Sequence, residues 1–592
     1  MAFSREMQIS VHRGVMFALG GGAGLALWAL GDNWDAPAFS APLYLALFTF
    51  VAVYSAVVLA LAGPVSTARA LGGALLLAVP VTALVSLAGL RHVVATDLLD
   101  DPVMLSVIAV LVFFATPFLL VWVQAVADWR RYAALFDAAW TMVVRYGVAW
   151  GFVGVFWLVA FLSNALLELV DIDLIDQMLQ IDWVAFGVTG AVLGLGLAVV
   201  YELRQTISPY LILRLLRLLV PVVLVVVGVF LAAVPFRGLS ELFGEFSAAG
   251  TLMGAAIAAI TLISTALDKD DAAAVSTRGI RLATRGLALL LPLLTGLAVW
   301  AVVLRVRQYG WTPDRVLAVC VAVFLLTYGL GYCGSVLGRR GWGGRIRMVN
   351  VAMALAVIGA SALWLTPVLN AYRISTNSQV ARFSGGRSTL DQLDLWAMQH
   401  KWGRAGQAGV ARLEAMAAEV DNTELLARIN AVRSQSNAYL FKKAVQARQA
   451  PGDAQTLAQL MAVRPQGASL TAETFEGLAF YRMTQWLDGC HRPLADGRPG
   501  CVMVRGDFAP LSDAKTQGIV LFLDELGQVR GNHVMLRPGA GLKVSKVYDP
   551  VSGLWPTLPE AAIAKVLDGA FDIRPSGGNA LFVDGSVLVP GN

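Results

Sequence analysis

Three arginines, Arg305, Arg307 and Arg315, stand close together in the stretch RVRQYGWTPDR, which lies between two long apolar runs. An arginine side chain carries a planar guanidinium that binds a carboxylate or a phosphate through two parallel hydrogen bonds. Pro313 fits the first turn of a helix with Thr312 as its N-cap, and the N-terminus of a helix also attracts anions. The stretch therefore predicts a site for an anionic group, with the three arginines as its ligands.

The same stretch is also typical of an anchor at a membrane surface. Tyr309 and Trp311 are aromatic types that favour the lipid headgroup region, and arginines near helix ends extend their charged heads towards water. Arg305 and Arg307 can face one ligand only if the backbone between them is extended or irregular, because residues two apart on a helix are separated by about 200°. The sequence leaves both interpretations open, an anion-binding site and an interfacial anchor.

The composition of the chain indicates which elements position this stretch. Of its 592 residues, 57% are hydrophobic and 14% are charged, compared with about 25% charged residues in an ordinary soluble domain. A helix of about 20 apolar residues crosses a bilayer, whereas an open sheet would leave backbone groups unpaired in lipid. We therefore predict eleven transmembrane helices, at residues 14–31, 42–62, 69–89, 104–127, 147–169, 183–201, 213–234, 249–267, 286–304, 316–337 and 348–369.

Lysine and arginine are unevenly divided between alternate loops. With the N-terminus inside, the inside segments carry seventeen of them and the outside loops carry five. The positive-inside rule therefore predicts a bacterial inner-membrane protein with a cytoplasmic N-terminus, and the odd number of spans places residues 370–592 in the periplasm. Because the arginines cluster beside apolar runs, we expect membrane lipids and a periplasmic protein, and no nucleic acid, as partners.

The remainder of the chain has the composition of a soluble domain. Residues 370–388 are polar and contain Gly and Ser, which predicts a linker between a membrane domain at 1–369 and a periplasmic α+β domain at 389–592. Thr389 fits a helix N-cap with Gln392 at the capping-box position. The predicted domain is helical over 389–487 and strand-rich over 500–592, with helices at 390–400, 406–420, 423–435, 439–449 and 472–487 and strands at 501–505, 517–524, 531–537, 542–548 and 580–588. The fold class is thus an all-α multi-pass membrane domain followed by a soluble α+β domain.

The four cysteines fall into two pairs. Cys320 and Cys333 share one predicted helix and stand roughly 20 Å apart along its axis, which is too far for a bond. Cys490 and Cys501 flank a turn rich in Pro and Gly, and we expect them to form a disulfide in an oxidising compartment. Two free thiols are one alternative, and a metal site with His491 is another, although this spacing is not a standard zinc pattern. We expect no metal and no cofactor.

Other residues carry little sign of chemistry. The sequence has no nucleophile, metal or nucleotide motif, so we assign no catalytic residue, although His400, His491 or His533 could serve an exposed site in the soluble domain. The spans hold almost no ionisable group, which argues against ion-coupled transport. Their polar residues Asn164, Thr189, Thr261, Ser264 and Thr265 fit interhelical hydrogen bonds.

Two small-residue motifs, Gly20 with Gly24 and Gly190 with Gly194, allow close contact between helices. Such a motif can form the face of a dimer or a contact within one bundle. Packing within one bundle is favoured here, because eleven helices have many internal contacts to fill.

Two strings, YELRQTISPYL at 201–211 and QYGWTPDR at 308–315, resemble the bacterial inner-membrane family catalogued as domain of unknown function 4153. The segment LDQLDLWAMQHKWGRAGQAGVARLEAM at 390–416 is similar to the region that follows the spans in that family. The resemblance covers most of residues 10–420 and implies a multi-pass membrane protein. The family has no established activity, so no site residue is carried over from it.

Three function hypotheses follow. The first is a non-enzymatic envelope protein that senses, scaffolds or assists assembly through its periplasmic domain. The second is a transporter or flippase for an anionic or lipid-linked substrate, which a water-filled cavity between helices would favour. The third is an envelope enzyme acting on lipid or glycan, which a His–Asp or His–Ser pair in a soluble cleft would favour.

Overall fold

The chain forms two compact units, Met1–Asn422 and Thr423–Asn592, which are described separately. The structure is a computed structural model and describes residues 2–32, 39–203, 209–237, 248–338, 340–435, 437–465, 470–475, 478–508, 516–524, 526–537, 541–549, 555, 558–575, 579–583 and 586–590. Residues 204–208, in the string YELRQTISPYL, lie outside the described residues.

Within the described ranges, eleven helical segments of the first unit are long and apolar enough to cross a membrane, which confirms the predicted fold class. Ten of them are single helices, and α8 and α9 together supply the other. The helices are α1 (Ala2–Gly31), α2 (Ala41–Leu61), α3 (Thr67–Gly89), α4 (Pro102–Gln124), α5 (Tyr132–Glu168), α6 (Leu174–Leu179), α7 (Asp182–Glu202), α8 (Pro209–Leu218), α9 (Val220–Arg237), α10 (Ala248–Leu267), α11 (Arg278–Tyr309), α12 (Pro313–Leu337) and α13 (Trp342–Leu365).

Successive spans run in opposite directions, so the loops gather at two ends of the bundle. We call the end with the α2–α3 and α4–α5 loops the proximal end, and the end with the α3–α4 and α11–α12 loops the distal end. The helix α5 has 37 residues and is therefore about 55 Å long, which exceeds the roughly 30 Å of hydrocarbon in a bilayer. Its buried residues run from Leu135 to Val153, so its first half belongs to the bundle core.

The two glycine motifs pack against each other. A Cβ atom on Gly20 would overlap the carbonyl oxygen of Gly190, and one on Gly194 would overlap the carbonyl oxygen of Met16. A Cβ atom on Gly24 would likewise overlap the carbonyl oxygen of Phe186. The motifs therefore serve the crossing of α1 and α7 within one chain, as the sequence favours, because only glycine lets two helix backbones approach so closely.

A polar network joins four helices inside the bundle. The hydroxyl of Tyr332 donates to Asn350 Oδ1 at 2.5 Å and lies 3.0 Å from Ser264 Oγ. The amide of Asn350 donates to the hydroxyls of Tyr132 and Ser264, each at 3.2 Å. The prediction of interhelical hydrogen bonds is thus confirmed for Ser264, whereas the hydroxyl of Thr261 bonds to its own helix.

The predicted linker is a helix. Residues Ala371–Ser384 form α14, and the side chain of Asn370 caps its N-terminus by accepting from the backbone N–H of Arg373 at 3.1 Å. Buried side chains such as Tyr372 and Gln379 hold α14 against the distal end, which explains why a polar sequence is ordered here. The boundary between the two compact units consequently follows Asn422 instead of the last span.

Two further helices, α15 (Leu395–His400) and α16 (Gly403–Glu419), complete the first unit. The predicted N-cap at Thr389 is not the start of α15, although its backbone N–H donates to Gln392 Oε1 at 3.3 Å. The N-cap is Asp394, whose carboxylate accepts from the backbone N–H of Ala397 at 2.9 Å. A carboxylate placed directly before the helix competes better for the free N–H groups of the first turn.

The second unit is an α+β domain, as predicted. Its described strands form an eight-stranded sheet in the order β1-β2-β3-β4-β5-β8-β7-β6, antiparallel except for the β1–β2 pair. The predicted strand at 580–588 is a hairpin of two strands. The elements are α17 (Thr423–Ser434), α18 (Ala438–Leu460), α19 (Phe480–His491) and α20 (Ala561–Leu567), with β1 (Ala462–Arg464), β2 (Cys501–Arg505), β3 (Thr516–Leu523), β4 (Val529–Arg537), β5 (Gly541–Tyr548), β6 (Asp572–Pro575), β7 (Asn579–Val583) and β8 (Ser586–Pro590).

Both faces of the central strands are covered. On β3, Val520 and Phe522 pack with Trp486 of α19, while Ile519 and Leu521 pack on the other face with Ile563 of α20. Burial on both faces explains the unbroken apolar run of this strand.

The disulfide of the second unit is present. Cys490 near the end of α19 and Cys501 at the start of β2 are bonded, with their Cα atoms 4.7 Å apart. Both sulfurs are buried in the layer between α19 and the sheet. The predicted pairing is confirmed, and Cys320 and Cys333 are free as predicted.

Candidate functional site

The predicted arginine stretch lies at the distal end of α11. Because α11 continues to Tyr309, Arg305 and Arg307 are helical and do not share a face. The guanidinium carbons of Arg305 and Arg315 lie 5.8 and 5.5 Å from the ring centre of Tyr309. The structure thus brings Arg305 and Arg315 together around Tyr309 and leaves Arg307 on another side of the helix.

The donors of this region are directed at the C-terminus of α11. Arg315 donates to the carbonyl oxygens of Tyr309 and Gly310 at 3.3 and 2.8 Å. Arg382 of α14 donates to the carbonyls of Arg307 and Gln308, at 3.2 and 2.7 Å. The last carbonyls of a helix have no partner within it and carry partial negative charge. Arg315 and Arg382 therefore act as a helix cap, which is a structural role.

Part of this arrangement was predicted from the sequence. Thr312 Oγ accepts from the backbone N–H of Arg315 at 3.4 Å, and Pro313 is the first residue of α12, as predicted. Gly310 adopts φ of 77°, which favours glycine at the end of a helix and marks the cap. Trp311 is half-buried and Tyr309 is exposed, so Tyr309 is the better placed of the two as an interfacial anchor.

Capping by arginine recurs throughout the bundle. Each of these arginines reaches the carbonyl oxygens at the C-terminus of another helix or of a helix next to its own. A guanidinium suits this role because its five N–H donors can bond several carbonyls at once and its charge opposes the helix dipole. The other described cases are Arg91 on α13, Arg145 on α2 and α7, Arg217 and Arg347 on α10, and Arg345 on α12.

Arg145 is the most deeply buried of these arginines, at 2% exposure. Its Nε donates to the carbonyl of Leu197 at 2.9 Å, and its Nη1 donates to that of Ala60 at 3.1 Å. Its Nη2 donates to the carbonyls of Leu59 and Ala62, at 3.2 and 2.7 Å. Among the described residues no carboxylate forms an ion pair with Arg145. The ends of two helices thus supply the negative charge that a buried cation requires.

Arg145 borders a cavity of about 500 Å³ at the proximal end. Trp140, Thr141 and Tyr201 also line it, and together they make a wall that is partly aromatic and partly polar. A second cavity of about 430 Å³ shares Pro64 and Gln124 with the first. It is lined mainly by polar residues, which are His12, Ser66, Thr67, Arg69 and Gln124. We call the two together the proximal chamber.

Two apolar cavities adjoin the proximal chamber along α5. One of about 190 Å³ shares Phe136 and Trp140 with the chamber. The other, of about 270 Å³, shares Phe113, Pro117 and Ala139 with the first apolar cavity. The first four turns of α5 therefore border both a polar space at the helix ends and open apolar spaces farther along the helices.

Positive charge predominates around the proximal chamber. The carboxylate of Asp137 is paired with Lys269 at 3.1 Å, and Glu202 is paired with Arg13 at 2.6 Å. Arg69 is exposed on the wall of the chamber, where no carboxylate of the described chain forms an ion pair with it. A negatively charged group would therefore be attracted to this chamber.

The second unit contains a histidine–serine pair, but it is buried. His533 Nδ1 lies 3.1 Å from Ser545 Oγ, and the His533 side chain is 1% exposed and packs against Phe508. Its Nε2 has no partner among the described residues, so no acid orients the ring as a catalytic pair would require. The pair gives a substrate no access, and we interpret His533 as part of the core.

The burial of His533 predicts a pH dependence. Desolvation, followed by the charge of Lys543, lowers the pKa of His533 from 6.5 to about 4. The unfolded chain takes up this proton near pH 6.5 and the folded chain only near pH 4, so the unfolded state binds more protons in between. The second unit should therefore lose up to about 3 kcal/mol of stability as the pH falls through this window.

Hydrogen exchange of the strand β4 in the intact chain tests this prediction. Its amide protection, corrected for the intrinsic exchange rate, should fall between pH 7 and pH 4.5 in the native protein. The variant His533→Met lacks the titrating group and should lose most of this fall. An equal fall in both proteins would show that another group is responsible.

Together the fold and the cavities define a multi-pass α-helical membrane protein with a distinct α+β domain. Among the described residues no group of three His, Cys, Asp or Glu side chains could hold a metal ion. No protein-family profile, no curated protein and no solved structure matches this chain. The resemblance to the bacterial family with a domain of unknown function therefore stays a prediction.

Proposed function

We propose that this protein binds an amphiphilic, lipid-like molecule with an anionic head in the proximal chamber. The observation that carries the proposal is the adjacency of a polar chamber and two apolar cavities along α5. A lipid has the same division into a polar head and apolar chains.

The head would lie among the polar residues of the chamber. Arg69 supplies a guanidinium that is not paired with a carboxylate of the described chain, and Gln124 and Thr67 add neutral hydrogen-bonding groups. Arg145 adds positive potential, although its donors are directed at helix carbonyls. Arginine with neutral donors is a suitable set for a phosphate or carboxylate group.

The chains would lie along α5. Phe136 and Trp140 border both the chamber and the first apolar cavity, and Met142 and Tyr146 border the second one. The two apolar cavities have about 460 Å³ together, which suits part of one or two acyl chains. Burial of apolar surface there would contribute about 25 cal/mol per Å² to binding.

We further propose that the membrane is a bacterial inner membrane and that the proximal end faces the cytoplasm. The uneven distribution of lysine and arginine between alternate loops supports this orientation. A reporter inserted near Asp271 should behave as cytoplasmic, and one fused after Asn592 as periplasmic. A cytoplasmic reporter at Asn592 would contradict the proposed orientation.

The geometry favours binding over transport. The four cavities described above are lined by residues of the proximal end and of α2, α4, α5, α12 and α13, and Arg305, Arg307 and Arg315 line none of these four. A protein that binds a lipid without moving it fits a sensing or assembly role in the envelope, with the second unit as the part that meets a periplasmic partner.

Lipid binding can be measured on the purified protein by native mass spectrometry. We expect phosphatidylglycerol to bind at least about tenfold more tightly than phosphatidylcholine, and Arg69→Gln to remove most of this preference. The matched control is Arg130→Gln, which removes an exposed arginine of the same end that lines no cavity. Equal loss in both variants would point to general surface charge and contradict the chamber.

A separate variant tests whether the apolar cavities hold the acyl chains. Ala139 borders both of them, so Ala139→Phe should fill the space and weaken binding of long-chain lipids more than binding of short-chain ones. Equal affinities for both chain lengths, in the native protein and in this variant, would show that the chains lie outside the bundle.

A further inference from the structure

The α3–α4 loop of the first unit is enclosed at the distal end. It contains Arg91 and His92, which are 8% and 4% exposed. Arg404 of α16 covers it, since its backbone N–H donates to the carbonyl of Arg91 at 2.9 Å and its Nε to that of His92 at 3.0 Å. A Cβ atom on Gly403 would overlap the carbonyl oxygen of Arg91, so α16 lies directly against this loop.

The guanidinium of Arg91 is only partly satisfied. Its Nη2 donates to the carbonyl of Trp364 at 2.7 Å and to that of Thr366. Its Nε and Nη1 are buried and have no acceptor among the described residues. Leaving charged donors without acceptors in a buried place costs several kcal/mol, so these N–H groups require an acceptor that the described residues do not supply.

Two further side chains, those of His92 and Ser375, also have buried polar atoms without a hydrogen-bond partner among the described residues. The ring of His92 lies 5.5 Å from that of Tyr372, and its Nε2 has no partner in the described chain. Ser375 lies one turn along α14 from Tyr372, is 0% exposed and has an unpartnered hydroxyl. Burial is the main cause that lowers the pKa of His92, so its ring is neutral at pH 7 and can present an N–H at Nε2.

No carboxylate of the described chain pairs with Arg91. Asp101 Oδ1 accepts from the backbone N–H of Val103 at 2.8 Å, and its Oδ2 accepts from the hydroxyl of Tyr372. Asp97 accepts from the backbone N–H of Val94 at 3.3 Å. Both acids therefore accept hydrogen bonds from other groups, and the guanidinium of Arg91 donates to the carbonyls at the end of α13 instead of to a carboxylate.

We propose that a small inorganic anion of the halide class binds beside Arg91, His92 and Ser375. Arg91 has two buried N–H groups without an acceptor, and His92 and Ser375 have buried polar atoms without a partner among the described residues, which favours an anion. The cover formed by α14 and α16 and the single net charge of Arg91 favour a small monovalent ion over phosphate. The site lies at the opposite end of the bundle from the proximal chamber, so it is independent of the proposed lipid binding.

The experiment compares thermal unfolding of the intact protein in sodium chloride, sodium bromide and sodium gluconate at equal ionic strength. We expect chloride and bromide to raise Tm in a saturable way, by roughly 2 °C or more, and gluconate not to do so. An equal Tm in all three salts would overturn the proposal and leave water as the occupant. A separate titration with sodium phosphate at the same ionic strength tests the kind of anion, and stabilisation by phosphate without stabilisation by chloride or bromide would overturn the assignment to halides.

Arg91→Met should abolish the response to chloride. The matched control is Arg347→Met, since Arg347 is also 8% exposed and also caps a helix, but lies at the proximal end. This control should lower Tm and keep the response, so loss of stability is separated from loss of the site. A response that survives in Arg91→Met would place the ion elsewhere.

A second measurement covers the case in which Arg91→Met does not accumulate. Crystals of the unmodified protein soaked in bromide should show an anomalous peak within hydrogen-bonding distance of Arg91 Nε or Nη1. A peak at other arginines, with none at Arg91, would overturn the proposal.

Discussion

Replacing Arg145 by methionine should destabilise the first unit by about 3–5 kcal/mol, because the substitution removes all four hydrogen bonds to the carbonyls of α2 and α7. The carbonyls of Leu59, Ala60 and Ala62 lie at the C-terminal end of α2, where the helix itself leaves carbonyl groups without a partner. Methionine has a similar length and fills much of the space, so the loss reports the hydrogen bonds more than a cavity. The decrease in Tm of the purified protein, or in its denaturant midpoint, measures the effect.

A matched control lies at the same end of the bundle. Arg130 is exposed and its guanidinium stacks over Trp129, so Arg130→Met should change the stability by no more than about 0.5 kcal/mol. Arg145→Lys keeps the charge but has a single nitrogen, which cannot bond carbonyls of two helices in the same way. It should fall between the native protein and Arg145→Met. Equal stability of the native protein and Arg145→Met would refute the capping role.

The second prediction with a large expected effect concerns a substitution at the crossing of α1 and α7. Gly190→Ala places a Cβ atom into the carbonyl oxygen of Gly20, which belongs to rigid backbone, so the two helices must move apart. We expect a loss of about 2–4 kcal/mol, at the upper range of overpacking because backbone cannot rotate away as a side chain can. Thermal unfolding in detergent measures the loss.

The chain offers a control for helix propensity. Gly22 lies on α1 between the two contact glycines, and a Cβ atom there meets nothing within 4 Å. Gly22→Ala should therefore be neutral or slightly stabilising, because alanine restricts the unfolded chain. A similar loss in Gly22→Ala and Gly190→Ala would show that the effect does not come from the close contact.

Local features of the sequence were sufficient to predict much of this fold. Span positions follow from the length of apolar runs, because lipid demands an apolar surface along one continuous helix. Thr312 as N-cap and Pro313 at the first helical position also follow from neighbours in the chain. The disulfide of Cys490 and Cys501 joins residues only 11 positions apart, so it too could be predicted from neighbouring parts of the sequence.

The roles of the arginines could not be predicted from local features of the sequence. In the sequence, Arg145 and Arg69 are only positive charges near helix ends, and Arg305, Arg307 and Arg315 look like one cluster. The structure separates Arg307 from the other two because α11 continues through the stretch. It also shows that Gln379 and Arg382, in a segment that resembles a linker, bond to the backbone of that stretch.

The physical reason is the range of the interactions. A span is decided by the chain's own residues and by lipid, which is the same everywhere along it. A cap or a cavity is decided by groups that are distant in sequence, as Arg145 is from the carbonyls of Ala60 and Leu197, at separations of 85 and 52 residues. The sequence alone therefore determined the class of the protein and the number of its spans, and only the tertiary packing decided which arginines close helix ends and which line the proximal chamber.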